Sequence, residues 1–310
     1  MGERLSQAVP PHLRGERADR IVAELAGISR VKARALFAEG VLVDGRSVAP
    51  TDRLNDGLVE FTAPEASAPP LPAPVPYRLA YEDDDLLIVD KPAGLVVHPG
   101  AGQAEGTLAG GLLFRYPELE GVGQAGRWGI VHRLDQGTSG LLVVARTPAA
   151  YTKLQADLAA RRISRTYLCL VHGVPEMPTG TIDAPIGRDP RHPTRKRVAA
   201  DGRPARTHYR TVSEHQVAAL LEVELETGRT HQIRVHLASI GHPVVGDRTY
   251  GRRTDPVPLR RMFLHAHRLR LTHPQTGTEI EVSSPLPADL QRILDELSRR
   301  YSSGPDTVAP

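Results

Sequence analysis

The sequence predicts an α+β protein in two units: a small N-terminal module, residues 1–62, and a larger domain, residues 77–300. Three observations predict it. Residues 63–76, APEASAPPLPAPVP, are so rich in proline that neither helix nor inner strand can form, and they read as a semi-rigid extended linker. Short apolar runs such as Leu86-Leu87-Ile88-Val89 and Leu141-Leu142-Val143-Val144-Ala145 read as buried strands. Between and after such runs, Tyr151, Leu154 and Leu158, and again Leu290, Ile293, Leu294 and Leu297, recur at helical spacing. Residues 301–310 form a polar tail expected to be disordered.

In the first module, Ile21, Val22 and Leu25 share one helical face, Ser29 can N-cap a second helix, and Gly40 can end it. Val41-Leu42-Val43 followed by Asp44-Gly45 is a hairpin signal, and Arg53 to Phe61 supplies a further strand-like piece. Arg30, Lys32 and Arg34 lie on the second helix, with Arg14, Arg17 and Arg20 upstream, enough for a basic face on so small a unit.

The larger domain opens on the strand Leu86–Val89, which runs into Asp90-Lys91-Pro92-Ala93-Gly94. The glycine-rich stretch Gly100–Gly106 has neither G-x-G-x-x-G nor Walker spacing, so nucleotide-loop binding is rejected. Gly129 to Arg146, GIVHRLDQGTSGLLVVAR, then sets charge and a Gly/Thr/Ser turn at the mouth of a buried strand. Thr147-Pro148 makes an N-cap and first helical residue, and Arg161-Arg162 suits that helix's C-terminal end. Arg165 to Val171 reads as a strand in which Tyr167 is by default core. Cys169, the only cysteine, packs within it, so no intrachain disulfide or cysteine-based zinc cage can form.

Between Arg188 and Arg210 stand eight basic residues, Arg195, Lys196 and Arg197 at their centre, against two aspartates. That excess is twice the chain's net charge of +3, and Pro190, Pro193 and Pro204 place it on a loop suited to phosphate contact. With a pI of about 9.1, an acidic partner is expected. Val217 to Glu226 reads as a strand, and Thr230 to Leu237 as a helix with Ile233, Leu237 and Ile240 inward. Arg234 then sits beside the apolar face, where a guanidinium needs a carboxylate or phosphate partner. The first residues carry charges and prolines where a signal peptide would carry its apolar core, and no run approaches about 18 apolar residues. A cytoplasmic location without membrane attachment is the expectation.

Histidines are frequent, but His231 and His236 miss the i, i+4 spacing of a zinc-binding helix and have no glutamate between them, so no metal is expected. Gly137-Thr138-Ser139-Gly140 is not a nucleophile elbow, and Asp135 has no acidic neighbour for glycoside hydrolysis. What remains is one carboxylate flanked by basic groups. Asp135 is a turn residue, a salt-bridge partner of Arg133, or a reactive group: an ionised carboxylate can act as nucleophile or base.

Four segments carry a resemblance: Asp90–Gly100 (DKPAGLVVHPG), His132–Gly140 (HRLDQGTSG), Arg165–Gly173 (RTYLCLVHG) and Thr227–Gly246 (TGRTHQIRVHLASIGHPVVG). In this order they resemble the motifs of the RluA family of RNA pseudouridine synthases, a likeness that runs from residue 77 to 286. The stretch from Arg17 through Ile28-Ser29-Arg30 to Gly40-Val41-Leu42-Val43-Asp44-Gly45 resembles the small S-four-like RNA-binding domain. Together they look like the branch that modifies large-subunit ribosomal RNA.

The resemblance implies a catalytic domain built on a mixed, mainly antiparallel sheet flanked by helices. It also implies roles: Asp135 as the catalytic aspartate, Arg133 as the arginine that helps extrude the base, Tyr167 as the residue stacking on uracil, and Arg234 as the partner of Asp135. Arg30, Lys32, Arg34, Arg195, Lys196 and Arg197 become the RNA contacts of a monomer. Asp135 would attack the anomeric carbon, add to carbon 6 of uracil, or take the sugar 2′ proton, and no route requires a metal or redox cofactor. The rival expectation is a non-catalytic ribosome-assembly factor, which would have no need of Asp135 with Arg234.

Overall fold

A computed structural model describes residues 4–26, 28, 30–62, 71–99, 105–123, 127–192, 194–252, 257 and 259–301, apart from the side chains of residues 31, 32, 300 and 301. The expected cap Ser29, the side chain of Lys32, linker residues 63–70 and tail residues 302–310 lie outside the described residues. The chain divides after Pro69 into two compact units.

The first unit runs β1 (Arg4–Ala8), β2 (Glu16–Arg17), α1 (Ala18–Leu25), α2 (Arg30–Glu39), β3 (Leu42–Val43), β4 (Arg46–Ser47), β5 (Arg53–Leu54) and β6 (Leu58–Thr62). Its sheet has the order β1-β6-β3-β4, and its core gathers Leu13, Ile21, Val22, Ala33, Leu36 and Phe61. The Asp44-Gly45 hairpin forms as predicted, with φ of 48° and 76°, both left-handed as such a turn demands. The piece expected at 53–61 is two strands, β5 pairing with β2 and β6 with β1 and β3, because Gly57 turns the chain at φ 105°.

The second unit contains β7 (Arg78–Glu82), β8 (Leu86–Lys91), α3 (Leu108–Arg115), β9 (Ser139–Ala145), α4 (Pro148–Ala159), β10 (Ser164–His172), β11 (Thr179–Asp183), β12 (Ile186–Arg188) and β13 (Lys196–Val198). There follow β14 (Arg206–His215), β15 (Ala218–Leu225), α5 (Gln232–Ser239), β16 (Leu264–Thr272), β17 (Glu279–Ser283) and α6 (Ala288–Tyr301). Among the described residues the main sheet has the order β11-β14-β15-β10-β16-β9-β8-β7, with β17 added beside β16. It is mixed and mainly antiparallel, as expected: β9 and β16 run parallel, the other pairs antiparallel.

The central strands of this sheet are buried on both faces, which is why they read as unbroken apolar runs, while the outer strands alternate buried and exposed residues. Leu87, Val89, Leu142, Val144, Tyr167, Cys169 and Leu221 face one way, against Leu108 and Leu112 of α3 and Ile233 and Leu237 of α5. On the opposite face Ile88, Leu141 and Val143 meet Leu154 of α4, and Leu170 and Leu220 meet Leu290, Ile293 and Leu297 of α6. The start of α4 is fixed by Thr147, whose hydroxyl accepts from the Ala150 amide at 3.1 Å, and by Pro148 in the first turn.

Four expectations need correction. Residues 71–76, expected within the extended linker, belong to the second unit: Ala73 N–H donates to the Gly110 carbonyl, and a Cβ on Gly111 would lie 2.1 Å from Val75 Cγ2, so this segment docks on α3. The basic stretch 188–210 is not all loop, since β12, ending at Arg188, pairs with β13 at Lys196–Val198, and β14 begins at Arg206. The helix expected from Thr230 starts at Gln232, after His231 in a left-handed conformation. Ile240, expected inward, is exposed because the helix ends before it.

Candidate active site

The loop 132–138 is held from both sides before it enters β9. Leu134 is buried in the core, and Thr138 N–H closes a turn onto the Asp135 carbonyl at 3.0 Å. The turn after β8 grips the same loop: Gly94 N–H donates to the Gln136 carbonyl at 2.8 Å, and Gln136 Nε2 donates back to the Gly94 carbonyl at 3.2 Å. Lys91, fully buried, donates from Nζ to the carbonyls of Pro92, Leu95 and Gln136. Burial pulls its pKa down to about 7 and the charge of Asp135 opposes this, while three carbonyl acceptors are the geometry of an ammonium. Gly140 lets β9 enter the sheet, since at φ 110° a Cβ there would lie 2.2 Å from the Ala266 carbonyl of β16.

His132, three residues before Asp135, is an anchor. Its Nε2 accepts from the Val143 amide at 3.3 Å, and burial followed by the nearby Arg165 charge pulls its pKa to about 3, so the ring is neutral.

Helix α5 presents Arg234 from the other side. Gln232, buried, ties its start to β14 and the β15–α5 turn: its Oε1 accepts from Thr227 Oγ1 and the Arg229 amide, and its Nε2 donates to the Arg206 carbonyl and Thr207 Oγ1. Four residues on, His236 contacts Thr207 Oγ1 at 2.8 Å and the Ala184 carbonyl at 2.9 Å. The helix is thus fixed on both sides of Arg234.

Arg234 is shared between two carboxylates. Nε and Nη2 donate to Asp247 at 2.6 and 2.9 Å, a bidentate fork, and Nη1 donates to Asp135 Oδ2 at 3.0 Å. Burial pushes the Asp247 pKa up, but Arg234 and the amides of Thr249 and Tyr250 more than offset it, leaving the carboxyl below its usual 3.8. The guanidinium carbon also lies 5.0 Å from the ring centroid of Tyr250. That tyrosine's hydroxyl accepts from the Lys196 amide of β13 at 2.8 Å and meets His231 Nδ1 at 2.9 Å.

Arg133, Asp135, Tyr167 and Arg234 line one cavity of about 600 Å³. Asp135 is half-buried there, Arg133 exposed at its edge, and Tyr167 only 5% exposed. Tyr167 is therefore both a core residue and a wall of the cavity. Asp135 pairs with Arg234, which resolves the alternatives left by the sequence away from a simple bridge to its neighbour. Arg195, Lys196 and Arg197 lie outside the cavity, on and beside β13. In the first unit Arg30 contacts buried Asp19 at 2.8 Å and Arg34 lies 3.8 Å from it, so part of the basic face is already neutralised. Among the described residues no cluster of histidine, cysteine and acidic side chains suits a metal ion.

Sequence reasoning does not single out Asp247, Tyr250, Lys91 or Arg165 as site residues. For Asp247 the only local signal is Gly246-Asp247 before Thr249 and Tyr250, an aspartate turn, in which Asp247 Oδ1 accepts from both following amides. Lys91 sits in a strand end where a buried lysine has no sequence signature.

The RNA pseudouridylate synthase family model matches residues 85–239. An uncharacterized RNA pseudouridine synthase of Chloroflexus aurantiacus is 49% identical over 306 residues, covering 95% of this chain and 94% of that one. A ribosomal large subunit pseudouridine synthase D of Xanthomonas campestris pv. campestris is 44% identical, covering 94% and 92%. The solved structure of Human RNA Pseudouridylate Synthase Domain Containing 1 aligns with a TM-score of 0.56 at 29% identity, covering 78% of this chain and 98% of that one. The match in sequence spans both the loop bearing Asp135 and the helix bearing Arg234, and the chain belongs to the RNA pseudouridylate synthase family.

Proposed function

We propose that the protein isomerises specific uridines to pseudouridine in large-subunit ribosomal RNA, with Asp135 as the reacting group on a nucleotide flipped out of the RNA. The observation that carries this is the Asp135–Arg234–Asp247 arrangement at the cavity wall beside Tyr167. The name of the Xanthomonas relative supports the choice of RNA.

A uracil inside folded RNA is out of reach, so it must leave the stack at a cost of roughly a few kcal/mol. Arg133, exposed at the cavity edge, fills the gap, and stacking on Tyr167 returns about 1–3 kcal/mol. Arg234 holds one oxygen of Asp135 and leaves the other free to attack the anomeric carbon, add to carbon 6, or take the 2′ proton. In each route the N1–C1′ bond breaks, the base turns and joins C1′ through carbon 5, and the carbon 5 proton is lost as N1 takes one up. The first unit acts as an S-four-like RNA anchor through Arg30, Lys32 and Arg34, and Arg195, Lys196 and Arg197 hold phosphates near the cavity. The protein works as a cytoplasmic monomer; no described helix is long and apolar enough to cross a membrane.

Mapping pseudouridines in ribosomal RNA from cells with and without the gene tests the proposal. One or more large-subunit sites that vanish with the gene, and return with the wild-type gene but not with Asp135→Asn, are expected; an unchanged map overturns it.

A further inference from the structure

Arg165 is one of several arginines in the cavity wall, and among the described residues its charge has no carboxylate counterpart. It is 5% exposed, and among the described residues no carboxylate lies within ion-pair distance of it. Nη2 donates to the Leu225 carbonyl at 3.3 Å, and the buried Nε has no hydrogen-bond partner. Nη1 lies 2.9 Å from where a Cβ on Gly228 would be, so the glycine of the β15–α5 turn makes room for the guanidinium. On β10, Arg165 is two residues from Tyr167 and points to the same side, and both line the cavity with Asp135.

A buried arginine without an anionic partner is costly, because desolvation of the charge is offset only by a paired, hydrogen-bonded counterpart. Burial indeed lowers the Arg165 pKa. The Asp135 carboxylate does not serve, since it pairs with Arg234, which is itself held by Asp247. Nη1, beside Gly228 at the cavity wall, is the donor placed to meet an acceptor on whatever fills the cavity.

Resting on the proposal that a uridine nucleotide enters this cavity, we infer that Arg165 is a substrate-binding residue whose free guanidinium donors take an anionic or carbonyl oxygen of the flipped nucleotide. Two groups of a nucleotide offer that oxygen: the phosphate and the uracil ring. Arg165 therefore fixes the nucleotide independently of the chemistry at Asp135, and the Gly228 turn is the space that makes the fork available.

The test follows the Arg165 Nε–H resonance, identified by its loss in Arg165→Lys, while uridine 5′-monophosphate, uridine or inorganic phosphate is added to the full chain. The resonance is expected to move with uridine 5′-monophosphate; movement with phosphate alone assigns the phosphate, and movement with uridine alone assigns the base. No movement with the nucleotide overturns the inference. In parallel, Arg165→Met should lower kcat/KM on unmodified large-subunit ribosomal RNA by about 10- to 100-fold, the scale of one lost hydrogen bond to a charged group. Its melting temperature should hold or rise, because an unpaired buried charge is removed; an unchanged kcat/KM, or a fall in melting temperature with nucleotide binding intact, overturns the inference. If the wild-type protein forms no pseudouridine, the proposed function falls while the nucleotide titration still judges Arg165.

Discussion

Nη1 of Arg234 donates to Oδ2 of Asp135 at 3.0 Å, while Nε and Nη2 of the same guanidinium are locked by Asp247. The pairing joins residues 99 positions apart in the chain. Because Asp247 fixes Arg234 independently, the guanidinium keeps its position whether or not Asp135 stays paired with it. Such preorganisation is what makes a charged neighbour useful in a water-poor site.

Replacing Asp135 with Asn keeps the shape of the side chain and removes the carboxylate charge that the proposed reaction needs. Pseudouridine formation on large-subunit ribosomal RNA should be abolished while RNA affinity changes by no more than a few fold, measured by filter binding beside a turnover assay. Retained turnover would remove Asp135 from the mechanism.

Asp247→Asn should cost both stability and rate. It breaks a buried pair, a loss of roughly 3–5 kcal/mol. The acid limb gives the sign: the folded carboxyl sits below 3.8, so its stabilisation is present above that value and is lost as pH falls through the lower folded pKa. Calorimetric melts from about pH 7 to about pH 2 should show the wild type losing stability in that window and Asp247→Asn losing less of it. Equal acid limbs would show that the pair with Arg234 is not the source.

Much of this site was legible in the chain. Leu141–Ala145 announces β9 because both faces are buried, and the charged loop before it is where Asp135 is found. Arg234 beside an apolar helical face signals a need for an anion, but nothing local says that two carboxylates share it. Asp247 and Tyr250 reach it only through tertiary folding, and long-range ion pairs leave no periodicity to read. Ile240 shows the converse: the 3.6-residue spacing holds, but the helix stops one residue short, and the period loses its meaning.

Deleting residues 1–62 should weaken binding to ribosomal RNA and flatten its salt dependence, because every phosphate left unneutralised keeps its condensed counterion. Arg30 and Arg34 already face Asp19, so the change in slope should be smaller than a count of basic residues in the module suggests. Titrations from low to high salt check both points, and an unchanged slope would show that this module is not an RNA anchor.

Tyr250 joins the basic β12–β13 hairpin to Arg234, since its hydroxyl accepts from the Lys196 amide and its ring lies against the guanidinium. Removing the hydroxyl alone, in Tyr250→Phe, strands the Lys196 N–H and the His231 ring nitrogen at a cost of roughly 1–3 kcal/mol. The ring stays against Arg234, so turnover at saturating RNA should fall little, while KM rises as the hairpin loosens. Tyr250→Leu removes the ring as well, leaving Arg234 without its aromatic wall, and should lower kcat in addition. Steady-state kinetics on the same RNA separate the two: a Phe variant that loses kcat with KM unchanged would mean that the hydroxyl acts on the reacting groups and that the hairpin is not held through it.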